Sequence, residues 1–142
     1  MPDAKGNLPN VRAISTGTIS PYSTLDYNGY RRNGPGAFIL WYDGNKQSSY
    51  ETLAEFAAGA GHEAHGVMVD YDVFLEASPP KRGVTASPER WDLRLRPTAA
   101  AVDRGSRLPN VNDAPTGPAP DLGCHERESD PLQYGPRPFD LE

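Results

Sequence analysis

The chain carries one cysteine in 142 residues, Cys124, so it has no intrachain disulfide, and its thiol is read as a small buried packing group. It is also short of basic residues. Its 14 Lys and Arg against 19 Asp and Glu leave a formal charge of -5, which argues against the basic face that nucleic-acid phosphates require. No apolar run approaches the length of a membrane span, and Met1-Pro2-Asp3-Ala4-Lys5 has no apolar signal core, so neither a membrane partner nor a signal peptide is expected. Gly-x-Ser-x-Gly, the P-loop, the dinucleotide fingerprint and the EF-hand order are all missing, which removes the commonest hydrolase, nucleotide and calcium-loop signatures. An internal repeat at a period of about 20 to 30 residues is missing as well.

What is present is a chain cut into short pieces. Gly6, Pro9, Gly17, Pro21, Gly29, Gly34, Pro35 and Gly36 leave room before residue 37 only for strands such as Val11–Ile14 and Thr18–Ser20. Asn28-Gly29 reads as a turn, because both residues tolerate positive φ. Ala37–Tyr42 is the most apolar run, and its length and aromatic content predict a buried strand that carries much of the core. Ser48 and Glu51 have the spacing of a capping box, and Tyr50, Leu53, Ala54, Phe56, Ala57 and Ala60 share one helical face, which predicts a helix over 49–59 ending at Gly59 and Gly61. Val67, Val69, Tyr71, Val73 and Leu75 alternate with Met68, Asp70, Asp72, Phe74 and Glu76, a face that only Met68 and Phe74 keep from being polar, and predict one half-buried strand. Trp91, Leu93 and Leu95 predict another. Eleven of the 15 prolines lie from Pro79 to Pro138, so the rest of the chain is expected to be irregular.

Three stretches together resemble one family. Ser23-x-x-Asp26-Tyr27-Asn28-Gly29-Tyr30 is the first. Leu53-Ala54-Glu55-Phe56, Gly61-His62-Glu63-Ala64-His65 and Val69-Asp70 form the second. The third runs from Trp91 through Ala101-Val102-Asp103-Arg104-Gly105 and Leu108-Pro109-Asn110-Val111-Asn112-Asp113 to Pro120-Asp121-Leu122-Gly123-Cys124-His125-Glu126. This order resembles the C-terminal portion of secreted bacterial right-handed parallel β-helix proteins, the pectate-lyase-like superfamily. It departs from the family pattern near Ala99, where Ser-Pro-Ala is usual, and at Cys124 and His125. The resemblance implies an all-β fold: terminal rungs of a parallel β-helix with one short α-helix and a Pro/Gly-rich irregular tail. Residues 1–76 would supply rungs and helix, and 77–142 the last strand and a capping tail, within a single domain or fragment.

The resemblance further implies a carbohydrate-active protein, secreted or periplasmic, with polysaccharide as partner and no catalysis by this part alone. Were it an enzyme, the reaction would be that of a polysaccharide lyase or glycoside hydrolase. The alternative is a non-catalytic solenoid cap, or a glycan-binding or structural module. An open edge would then be covered by preceding rungs on another chain or by self-association.

Candidate chemistry is sparse. Asp26, Tyr27, Tyr30, Arg31 and Arg32 form the best group for carbohydrate: aromatic rings offer flat faces to sugar rings, and carboxylate and guanidinium groups supply oriented hydrogen bonds. Arg31 or Arg32 would be the base if a uronate were cleaved. His62 and His65, spaced i and i+3 after glycines, do not have zincin spacing and are read as structural, so no metal site is assigned. Asp70, Asp72 and Glu76 on one strand face would suit Ca2+, as would Asn110, Asn112 and Asp113, though both sets also fit a solvated face and a turn. Asp103, Asp121 and Glu126 lie too far apart in sequence to assign as a glycosidase pair.

Overall fold

The computed structural model describes residues 12–17, 23–79 and 91–129. Val11, Thr18–Ser20 and the tail beyond residue 129, all assigned roles above, lie outside the described residues. Among those described, the elements are β1 (Ile14–Ser15), β2 (Gly29–Tyr30), β3 (Ile39–Tyr42), β4 (Gln47–Tyr50), α1 (Leu53–Ala60), β5 (Val67–Met68), a 3-10 turn (Tyr71–Val73), β6 (Phe74–Glu76) and β7 (Asp92–Leu95).

These strands do not build a parallel β-helix. They form three separate sheets, β1-β3-β4, β2-β5 and β6-β7, with no solenoid and no closed sheet among the described residues. A solenoid needs each strand to pair in parallel with the next coil. Here β3 pairs antiparallel with β4, and β6 antiparallel with β7. The parallel pairs are β1 with β3 and β2 with β5. Short strands between frequent glycine and proline corners serve small mixed sheets as readily as rungs.

The β3–β4 hairpin also moves the helix start. Asp43 Oδ1 accepts hydrogen bonds from the N–H groups of Asn45 (2.8 Å) and Lys46 (2.7 Å), and Gly44 takes φ 100°, which returns the chain antiparallel. Ser48, Ser49 and Tyr50 are thereby drawn onto Trp41, Leu40 and Ile39, and cannot begin a helix. The N-cap is Thr52 instead, whose hydroxyl accepts from Glu55 N at 3.1 Å while Glu55 Oε2 accepts from Glu51 N at 2.9 Å. At the other end Gly61, with φ 72°, donates its N–H to Ala57 O, a left-handed cap of the kind its sequence position predicts.

The expected single strand over 67–75 is broken at Asp70. Its side chain accepts from Tyr71 N at 2.7 Å and caps the 3-10 turn, a local bond that outcompetes the ladder. Asp70, Asp72 and Glu76 therefore do not share a strand face. Nor does Asn28-Gly29 make a hairpin turn: Gly29 lies in β2, and the positive φ (59°) falls on Tyr27.

Two cores hold the chain. Phe38, Ile39, Trp41, Leu53 and Phe56 form the first, with Ile14, Leu25, Tyr30, Tyr50 and Ala60 packed around it. Phe56 is fully buried between Trp41 and Tyr50, with ring centroids 5.3 Å and 5.4 Å away. Burying such a ring contributes about 1.5–3 kcal/mol. Val73, Leu95 and Ala101 form the second core, against Val69, Phe74, Ala99, Val102 and Leu122. Leu93 and Leu95 both line an apolar cleft of about 320 Å3 beside it, with Cys124, which is exposed rather than buried.

The irregular segment after β7 is pinned by backbone bonds. Gly105 N donates to Pro120 O (2.6 Å) and Leu122 N to Ala101 O (2.9 Å). Asp121, buried, accepts from Asp103 N (2.7 Å) and Arg127 N (2.6 Å), and Glu126 Oε1 accepts from Asp121 N. Asp103, Asp121 and Glu126 are thus joined in space, through backbone N–H groups that use the carboxyls structurally.

Candidate functional site

The parallel pair β2–β5 assembles the site. Gly29 lies opposite Val67, and Val67 N donates to Asn28 O at 3.0 Å. Tyr27 and His65 each stand two residues ahead of those partners, so in-register parallel pairing sets one above the other. Their rings stack with centroids 4.5 Å apart and planes 5° from parallel. That separation is close to the roughly 4.7–4.9 Å between neighbouring strands.

Asp26 fixes the histidine. Its Oδ2 lies 2.7 Å from His65 Nδ1, and its Oδ1 accepts from the backbone N–H groups of His65 (2.7 Å) and Tyr27 (2.9 Å). Partial burial works to raise the Asp26 pKa, but the bonds from the His65 ring and backbone and from Tyr27 N–H outweigh it and hold the carboxyl below its usual range. A carboxylate only accepts, so the His65 Nδ1 carries the hydrogen of this bond. The His65 side chain is 58% exposed and that of Asp26 32%.

Behind this pair lies a buried carboxyl group. Glu63 is 2% exposed and takes φ 56° in the turn after α1, where its N–H donates to Leu25 O at 2.7 Å. Its Oε1 accepts from Tyr30 OH and from Asn28 Nδ2, both at 2.6 Å. Asn28 Nδ2 also donates to Asp26 O at 3.1 Å, so one amide ties the buried group to the exposed one. Burial and the bond to Glu63 push the Tyr30 hydroxyl pKa well up.

The five residues singled out for carbohydrate contact therefore separate. Asp26 and Tyr27, both half-buried, belong to one group with the exposed His65. Tyr30 faces inward, its ring edge-on to Phe38 and its hydroxyl on Glu63. Arg32 spends its Nε, Nη1 and Nη2 on the carbonyls of Gly34, Glu51 and Gly36 (3.1, 2.6 and 2.6 Å), and is a structural clamp. Arg31 Nε binds Asp70 Oδ1 at 2.6 Å, with its guanidinium carbon 4.9 Å from the centre of the Tyr71 ring. That bond, with the Tyr71 N–H, keeps the Asp70 carboxyl below its usual pKa.

The two histidines of His62-Glu63-Ala64-His65 diverge. His62 packs on Trp41 and Phe56, with centroids 4.7 and 6.0 Å away, and His65 lies on Tyr27. Among the described residues, no three His, Cys, Asp or Glu side chains are grouped to hold a metal ion. His65 and Glu63 were not legible as partners of Asp26, Asn28 and Tyr30, because no local pattern announces a pairing between segments so far apart. The one usable signal was that both segments place a polar residue and an aromatic ring or imidazole just ahead of a short strand.

Compared with known proteins, the chain matches no family model, no curated protein and no solved structure. No helix among the described residues is long and apolar enough to cross a membrane.

Proposed function

We propose that the chain is a non-catalytic, polysaccharide-binding part of a secreted or periplasmic carbohydrate-active protein, and that the Tyr27–His65 stack with Asp26 is where sugar binds. The observation that carries this is the stack itself. Tyr27 is held at φ 59°, a conformation costly for a side-chain-bearing residue, and its half-buried ring is used in the stack with the exposed His65 and not in either core. Backbone strain retained at a ring pair that opens to solvent through His65 fits a recognition role. A sugar ring would take the next position along the stack, and Asp26 would accept from its hydroxyl groups.

The absence of catalysis is supported by how the arginines are used. Arg31 is engaged by Asp70, and Arg32 by three carbonyls.

The test is retention of the purified chain in gels containing polysaccharide, with reducing and unsaturated ends measured in parallel. Tyr27→Gly suits it, because glycine accepts the positive φ while removing the ring. The chain is expected to be retarded, Tyr27→Gly and His65→Ala to run free with unfolding free energies within about 1 kcal/mol of the parent, and no ends to appear. Equal retention of all three proteins would refute the site, and released ends would refute the absence of catalysis.

A further inference from the structure

We infer that the polysaccharide taken by this site is a neutral one, recognised through hydroxyl groups donated to Asp26, and not a uronate polymer. This rests on the binding function proposed above and names its ligand class. A uronate carboxylate needs cationic donors that are not already committed. At this site the two nearest in sequence are held elsewhere: Arg32 by the carbonyls of Gly34, Gly36 and Glu51, and Arg31 through its Nε by the Asp70 carboxylate.

What the exposed group presents is an acceptor. A carboxylate has about four lone-pair sites. Asp26 uses two on Oδ1, for Tyr27 N and His65 N, and one on Oδ2, for the His65 ring. One direction on Oδ2 is therefore left for a donor beside the imidazole. A sugar hydroxyl can fill it, whereas a uronate carboxylate would set like charge against like charge. The chain's formal charge of -5 acts in the same sense at longer range.

The experiment measures affinity for neutral β-glucan, mannan and xylan against polygalacturonate and alginate. Each is measured at about 20 and about 300 mM NaCl, across which exposed charges become screened, and with and without added Ca2+. Neutral polymers should bind about tenfold or more tighter than uronates at low salt, with the gap narrowing as salt rises. Asp26→Asn should weaken the neutral polymers and shrink the selectivity ratio. Equal or tighter binding of uronates, in either salt or with Ca2+, overturns the neutral-ligand inference while leaving sugar binding intact. Binding to none of the polymers overturns both.

Discussion

Glu63→Ala tests the centre of the structure and the support of the site together. Glu63 is 2% exposed, and its Oε1 receives Tyr30 OH and Asn28 Nδ2, each at 2.6 Å. Truncation leaves the Tyr30 hydroxyl facing a void that was filled by a carboxyl group, whereas the exposed Asn28 amide keeps its bond to Asp26 O. A buried polar group left without its partner costs about 1–3 kcal/mol, which is the loss predicted for the Tyr30 hydroxyl, with about 2 kcal/mol as the centre. Alanine also keeps the strained φ of 56° without the side-chain bonds that over-determine it. For a chain of this length, about 2 kcal/mol corresponds to roughly 4–8 °C in melting temperature. Trp41, 4% exposed and in contact with Phe56 and His62, gives a fluorescence signal for urea unfolding. Tyr30→Phe in the Glu63→Ala background should cost less than in the parent, because the hydroxyl has already lost its acceptor. A Glu63→Ala unfolding free energy within about 0.5 kcal/mol of the parent, or full additivity of the two changes, would refute the network.

Three further outcomes are expected. In Gly66→Ala the new Cβ would meet Glu63 Oε2 at 2.8 Å and Leu53 Cδ2 at 3.2 Å, so urea unfolding should show a loss of about 1–3 kcal/mol that shrinks in the Glu63→Ala background. In Gly105→Ala the Cβ would lie 2.8 Å from Pro120 O, a backbone atom that cannot swing aside, so the Gly105–Pro120 bond is lost and about 2–4 kcal/mol with it; an unchanged melting temperature would contradict the docking of that segment. Asp26, Asp43, Asp70 and Asp92 are all held below the 3.8 of an unperturbed aspartate, Asp92 to about 2 by its Arg94 partner. Lowered folded-state values mean that their contribution is complete above pH 3.8 and is lost as pH falls through the folded values toward 2. The urea midpoint should accordingly fall between about pH 4 and 2, less steeply at high salt because these carboxylates are solvent-facing, and a midpoint flat to pH 2 would refute the assignment.

What could be read from the sequence was what neighbouring residues decide. The apolar run delivered Phe38, Ile39 and Trp41 to the core, and Gly61 ended the helix because a left-handed cap favours glycine. The helix start was misplaced because Ser48–Tyr50 are satisfied by Ile39–Trp41 across a turn that Asp43 closes, a tertiary choice that a capping-box spacing cannot anticipate. The long alternating run failed for the opposite reason: one side chain, Asp70, formed a local bond that the pattern ignores. The β-helix expectation treated short strands as coils, yet strand length says nothing about partner or direction. The site depended on that missing information. Asp26 and Tyr27 stood out by residue type, but His65 and Glu63 join them only because Gly29 pairs in parallel with Val67. That pairing has a physical consequence for the site. Asn28 holds both Glu63 and the Asp26 carbonyl, so the buried network and the exposed stack share one residue. A change that loosens Glu63 should therefore degrade sugar binding before the chain unfolds, whereas removal of the Tyr27 ring should abolish binding and leave the network standing.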